Sequence, residues 1–181
     1  MIILTAGHTG AGTGAQCIAT QFDEGAETIW LRDRVAEILT NKYGLVVLMD
    51  DDTASLKLLV SELNKTGRQE DILIDLHFNA HSNPQARGCE TIVADDATEL
   101  ELRVASRLAH ATADSLEIPL RCIKSESQTP HKRLAMLHLT PQSIILEVCF
   151  ITSPDDAEAY RKNRYKLANK LAQTIAKLVK P

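Results

Sequence analysis

Short apolar runs without alternation recur along this chain: Ile2-Ile3-Leu4, Leu45-Val46-Val47-Leu48-Met49, Ile72-Leu73-Ile74 and Ile144-Ile145-Leu146. A strand with one face in water alternates apolar and polar residues. One buried on both faces does not, so these runs call for a sheet covered on both sides. Helical periodicity lies between them. Leu31, Val35, Ile38 and Leu39 fall on one face of a helix that Gly44 would close. Leu56, Leu59, Val60 and Leu63 do the same, with Thr53 or Ser55 as the cap. Val104, Leu108 and Ala111, with Ala105, Thr112 and Leu116, mark a third helix, and Leu167, Leu171, Ile175 and Leu178 mark a last one. Ser153-Pro154-Asp155-Asp156 is a strong helix start: a capping serine, proline at the first position and acids in the first turn. Further strands are expected at 91–94 and 143–148, and a short one at 121–123 within the ambiguous stretch 118–140. The alternation predicts an α/β three-layer sandwich, a twisted and mostly parallel sheet with helices on both faces.

At 181 residues the chain suffices for one domain with a sizeable core. No Pro/Gly/Ser-rich linker, repeat or low-complexity run divides it, so residues 1–181 are expected to form a single catalytic domain. The net charge of -4 and the lack of a basic cluster argue against nucleic acid as a partner. The apolar runs fall far short of a membrane span. Met1-Ile2-Ile3-Leu4 leads at once into Thr5-Ala6-Gly7-His8, with neither a charged n-region nor a full apolar h-region, so no signal peptide is expected. Cys17, Cys89, Cys122 and Cys149 are widely spaced, which suits free thiols and offers no zinc knuckle; all four are expected in the core.

Three apolar runs stop at an ionisable residue: His8, His77 in Asp75-Leu76-His77-Phe78-Asn79-Ala80, and Glu147 in Leu146-Glu147-Val148-Cys149-Phe150. Ligand sites of open α/β sheets lie outside the carboxyl ends of the strands, so such residues converge. Catalytic zinc takes three protein ligands and keeps a fourth position open. His8 and His77 supply two. Asp23, Glu24 and Glu27 are all possible as the third, with Glu24 preferred because it stands just before the first helical periodicity. Glycines 7, 10, 12 and 14 would let the intervening loop fold over the site. Glu147 is then the general base.

In order along the chain stand Gly7-His8, Glu24, His77-Phe78-Asn79-Ala80, Gly88-Cys89-Glu90 and Glu147-Val148-Cys149-Phe150-Ile151. With these the sequence resembles the zinc-dependent N-acetylmuramoyl-L-alanine amidases of the amidase-3 type, from residue 1 to the last helix. The resemblance implies Zn2+ on His8, Glu24 and His77, with Glu147 catalytic. It implies peptidoglycan, as muramyl peptides, for substrate and the amide between N-acetylmuramic acid and L-alanine as the bond cleaved. Two departures concern loop shape: Thr9-Gly10 stands where the family often has Gly-Gly, and Gly12-Thr13-Gly14-Ala15 where it often has Asp-x-Gly-Ala. A bare domain without leader or wall-binding module is similar to phage or prophage endolysins, which stay in the cytoplasm until release to the cell wall.

Other polar residues have plainer readings. Asn79 and Glu90 are expected to orient a ligand or touch substrate. His81 is loop surface, as Asn83 and Pro84 break the helix that a ligand pair at i, i+4 needs. His131, Arg133 and His138 read as surface, and Asp50-Asp51-Asp52 as a solvated turn. Two other functions share the pattern. A zinc carboxypeptidase-like or N-acyl-amino-acid hydrolase would need an arginine for a free carboxylate, and Arg87 or Arg133 could serve. A non-catalytic wall-binding domain would keep the fold, but a decayed site tends to lose a ligand or its acid.

Overall fold

The computed structural model describes residues 1–8 and 12–179; Gly10, counted above among the loop glycines, lies outside them. The strands are β1 (Ile2–Ala6), β2 (Gln16–Cys17), β3 (Phe22–Asp23), β4 (Val47–Met49), β5 (Ile72–Asn79), β6 (Cys89–Val93), β7 (Leu120–Ser125) and β8 (Gln142–Phe150). The helices are α1 (Glu24–Tyr43), α2 (Leu56–Thr66), α3 (Glu99–Leu116) and α4 (Pro154–Val179). Six strands form one sheet in the order β4-β1-β5-β8-β6-β7, while β2 and β3 make a separate antiparallel pair. β4, β1, β5 and β8 run parallel; β6 is antiparallel to β8 and carries β7 parallel to itself. The α/β sandwich with a mostly parallel sheet is therefore as expected.

Burial explains the layers. β1 and β6 are buried at every position. On one face Ile2, Leu4, Ile74 and Leu146 join Leu31 and Leu39 of α1, Leu108 of α3 and Leu171 of α4 in the main core. On the other, Ile3 and Leu73 pack on Leu59 and Leu63 of α2 and on Met136, and Ile92 and Ile145 pack on Leu137. Asp23 caps α1 by accepting from the Ala26 amide at 3.0 Å, and Gly44 ends that helix in the left-handed region at φ 62°. Among the described residues no helix is long and apolar enough to cross a membrane.

Several expectations need correction. The run at 45–49 is not a buried strand: only 47–49 pair, at the sheet edge, and Val46 is 75% exposed. An edge strand has a neighbour on one side only, so an apolar run there reads like a buried one without being so. β5 and β8 continue past the apolar runs to Asn79 and Phe150, which leaves His77 and Glu147 inside hydrogen-bonded strands. Asp50 is not solvated. It accepts from the Arg32 guanidinium at 2.8 Å and from the Ala6 amide at 3.1 Å, tying α1 to the end of β1, because a charge buried there needs a partner. Cys89 and Cys149 are core residues, but Cys17 is half-buried and Cys122 exposed, since each lies on a short or edge strand with an open side.

Candidate metal centre and its cavity

The centre grows from the end of β1, from β5, β6 and β8, and from the start of α1. The chain leaves β1 with the Gly7 amide donating to the Leu76 carbonyl at 2.8 Å, which sets His8 beside β5. After the β2–β3 pair it returns at Glu24, whose own amide donates to the Ala15 carbonyl at 3.1 Å. Register then aligns the ionisable groups: His77 of β5 lies opposite Glu147 of β8, and Glu147 lies opposite Glu90 of β6.

Glu24 is buried, and its carboxylate accepts from the Ala15 amide at 2.8 Å and the Phe78 amide at 3.0 Å. His8 Nε2 is 3.5 Å from one of its oxygens and His77 Nδ1 is 3.3 Å from the other. Burial pushes its pKa up, yet His77 and the two amides outweigh burial and hold it below the ordinary value. One ligand atom from each of His8, Glu24 and His77 lies within 4.8 Å of the other two. Two imidazoles and a carboxylate are a donor set that suits zinc. Glycine makes the room: a Cβ on Gly7 would sit 2.0 Å from His77 Nε2, and one on Gly14 2.6 Å from the His8 ring and 2.7 Å from Glu24 Oε2. Burial lowers the pKa of His8, favouring the neutral imidazole that ligates metals. Burial pulls His77 down too, but Asp75 and Glu24 lift it well above the ordinary value. The cluster thus favours positive charge at this spot, a demand that a divalent cation also meets.

Asp75 is the residue that sequence reasoning passed over. It is buried, accepts from the Thr5 hydroxyl at 2.7 Å and lies 3.2 Å from His77 Nε2, leaving Nδ1 toward Glu24. The signal was present: an acid interrupts an apolar run two residues before His77, and such spacing puts both on one face of a strand.

Glu147 faces the same cavity. Its Oε2 is out of contact with solvent and has no hydrogen-bond partner among the described residues. Burial raises its pKa to about 7; Glu24, Glu90 and Asp75 add to the rise and His77 opposes it. Glu90 is the reverse case. It accepts from Asn79 Nδ2 at 2.8 Å, Lys124 Nζ at 2.7 Å and Arg121 Nε at 3.0 Å. Burial pushes its pKa up, but Lys124 and Arg121 bring it below the ordinary value. The cavity has a volume of about 560 Å³, and residues 129–131 and 134–136 form much of its far wall.

The remaining candidates lie apart from the cluster. Asp23 is spent on capping α1, and Glu27 pairs with Arg164 at 3.3 Å. Arg87 is held by Asp155 and Asp156. His81 is exposed, with Nδ1 accepting from the Asn83 amide. Arg133 is exposed; His131 is exposed but lines the cavity. His138 is not plain surface: it meets buried Glu126 at 2.6 Å, a contact that braces the far wall.

The whole framework has relatives. An amidase of Clostridium difficile 630 aligns with 98% of this chain and 93% of its own, at TM-score 0.80 and 22% identity. The catalytic domain of CwlV, an amidase from Bacillus (Paenibacillus) polymyxa var. colistinus, aligns with 98% and 94%, at 0.76 and 20%. The catalytic domain of the CD27L endolysin, which targets Clostridia difficile, aligns with 98% and 95%, at 0.73 and 23%. At these identities the likeness is one of fold. Comparison with curated protein sequences returns no match. The Amidase_3 family model, described as N-acetylmuramoyl-L-alanine amidase, matches residues 2–180. The chain therefore belongs to the Amidase_3 family of N-acetylmuramoyl-L-alanine amidases.

Proposed function

We propose that this protein is a zinc-dependent amidase that cleaves the bond between N-acetylmuramic acid and the L-alanine of the stem peptide in peptidoglycan. The observation that carries the reading is the meeting, in one cavity, of the His8–Glu24–His77 cluster with a half-buried Glu147 whose Oε2 is out of solvent and has no hydrogen-bond partner among the described residues. His8, Glu24 and His77 would hold the ion. Bound there, zinc supplies Lewis acidity and lowers the pKa of water toward roughly 7.

The chain's own groups do the rest. Asp75 accepts the proton on His77 Nε2 and so keeps that ring's tautomer and direction. Glu147 takes a proton from the attacking water and returns it to the departing alanine nitrogen, which leaves poorly unless protonated. An acid with a pKa near 7 can do both at neutral pH. Glu90 and Asn79 brace the cavity beside it.

The test is digestion of purified sacculi by the chain spanning 1–181, after chelation and again after zinc is restored. The expected product is a new free amino group on L-alanine, lost with chelation and regained with zinc. Release of a carboxyl-terminal amino acid would instead indicate a carboxypeptidase, and binding to sacculi without any new end group a wall-binding domain.

A further inference from the structure

We propose that Lys124 is a carboxylate-recognition residue of this cavity, selecting stem peptides whose residue after the alanine keeps a free carboxylate. The inference rests on the amidase reading above.

Lys124 lies on β7, in register with Ile92 of β6, and its side chain is 26% exposed. Its ammonium meets Glu90 Oε1 at 2.7 Å. Among the described residues lining the cavity it is the one lysine or arginine, while Glu24, Asp75, Glu90 and Glu147 are all acids. Glu90 also holds Arg121, so one carboxylate carries two cations and the trio is left with net positive charge. Arg121 is spent elsewhere: it donates to the Arg87 carbonyl at 3.2 Å, lies over the Phe150 ring at 5.1 Å, and does not line the cavity.

A lysine ammonium has three donors. Glu90 takes one, and Lys124 has no other partner among the described residues. The cavity therefore presents a pinned cation with donors to spare. Without it, an acid-rich cavity would repel an anionic peptide.

The reach is suitable. Glu147 and Glu90 are cross-strand neighbours, roughly 5 Å apart by strand spacing, and Lys124 folds back onto Glu90. A peptide residue spans about 3.5 Å. If alanine nitrogen leaves beside Glu147, a carboxylate on the next residue falls near Lys124.

The experiment compares two disaccharide tripeptides that differ only at that residue, D-glutamate with its free α-carboxylate against D-isoglutamine with the neutral carboxamide. The parent should favour the acid by about tenfold or more in kcat/KM, mostly through KM, as a charge-assisted hydrogen bond is lost with the amide. Lys124→Met should bring the ratio near one, and Lys124→Arg should keep it. An equal rate on both peptides by the parent overturns the proposal, as does a preference that survives in zinc-loaded Lys124→Met. If Lys124→Met does not fold, the parent at two ionic strengths still decides: a charge-borne preference weakens with salt, and a preference indifferent to salt overturns it. Failure on sacculi as well would sink the amidase reading itself, a separate and visible result.

Discussion

Glu90 and Glu147 stand opposite each other on neighbouring strands, both drawn out of water, yet their chemistry diverges. Glu90 has an amide and two cations on its oxygens, and its pKa falls. Glu147 has an oxygen with no partner among the described residues, and its pKa rises to about 7. Burial is common to both; the neighbours decide. A carboxylate given every partner it can hold becomes a fixed anion that organises other groups. One denied them becomes a group that can gain and lose a proton near neutral pH.

The largest effect tests the frame around that pair. His77→Ala removes one of three candidate ligands, and two hold an ion poorly, so zinc and sacculus turnover should both vanish. Metal analysis of the purified variant checks this; full zinc occupancy would break the ligand assignment. If Glu24→Ala kept its zinc and Glu27→Ala lost it, the third ligand would have to be moved.

Next comes stability. Glu147 has an ordinary value of 4.5 and about 7 in the fold, so the folded chain holds this proton to higher pH than the unfolded one. The resulting penalty is absent below about pH 4.5, grows as pH rises and is complete above about pH 7. It amounts to at most about 3 kcal/mol. Glu147→Gln lifts it, so in zinc-free protein the variant should gain stability over the parent between pH 5 and pH 8 in urea unfolding. A difference that is flat with pH would contradict the account of Glu147.

The smallest effect belongs to the other member of the pair. Glu90→Gln should lower turnover of sacculi by no more than about tenfold, because Glu90 positions groups and carries no proton in the reaction. A loss as large as that expected for Glu147 would reverse the two roles.

How much of this could be read from the sequence follows from what each residue needs. The runs at 72–74 and 144–146 read correctly as buried strands because both faces are covered. His8, Glu24, His77 and Glu147 stood out because polar groups ending apolar runs need a reason. The run at 45–49 misled because composition does not tell an edge from a centre. Nor does it carry strand direction: the reversal of β6 and β7, which brings Glu90 and Lys124 to the cavity, depends on pairing far along the chain. Asp50 looked solvated because its partner Arg32 is on a helix before it in sequence and meets it only in the fold.

The most direct measurement is turnover of sacculi by Glu147→Gln, in protein shown to be folded and zinc-loaded. That change keeps the size and polarity of the side chain and removes only the titratable group. Turnover should fall by a factor on the order of a hundred or more, as for loss of a general acid–base, with zinc content unchanged. Turnover within a few-fold of the parent would show that Glu147 carries no proton in the reaction, and the contrast with Glu90 would lose its meaning.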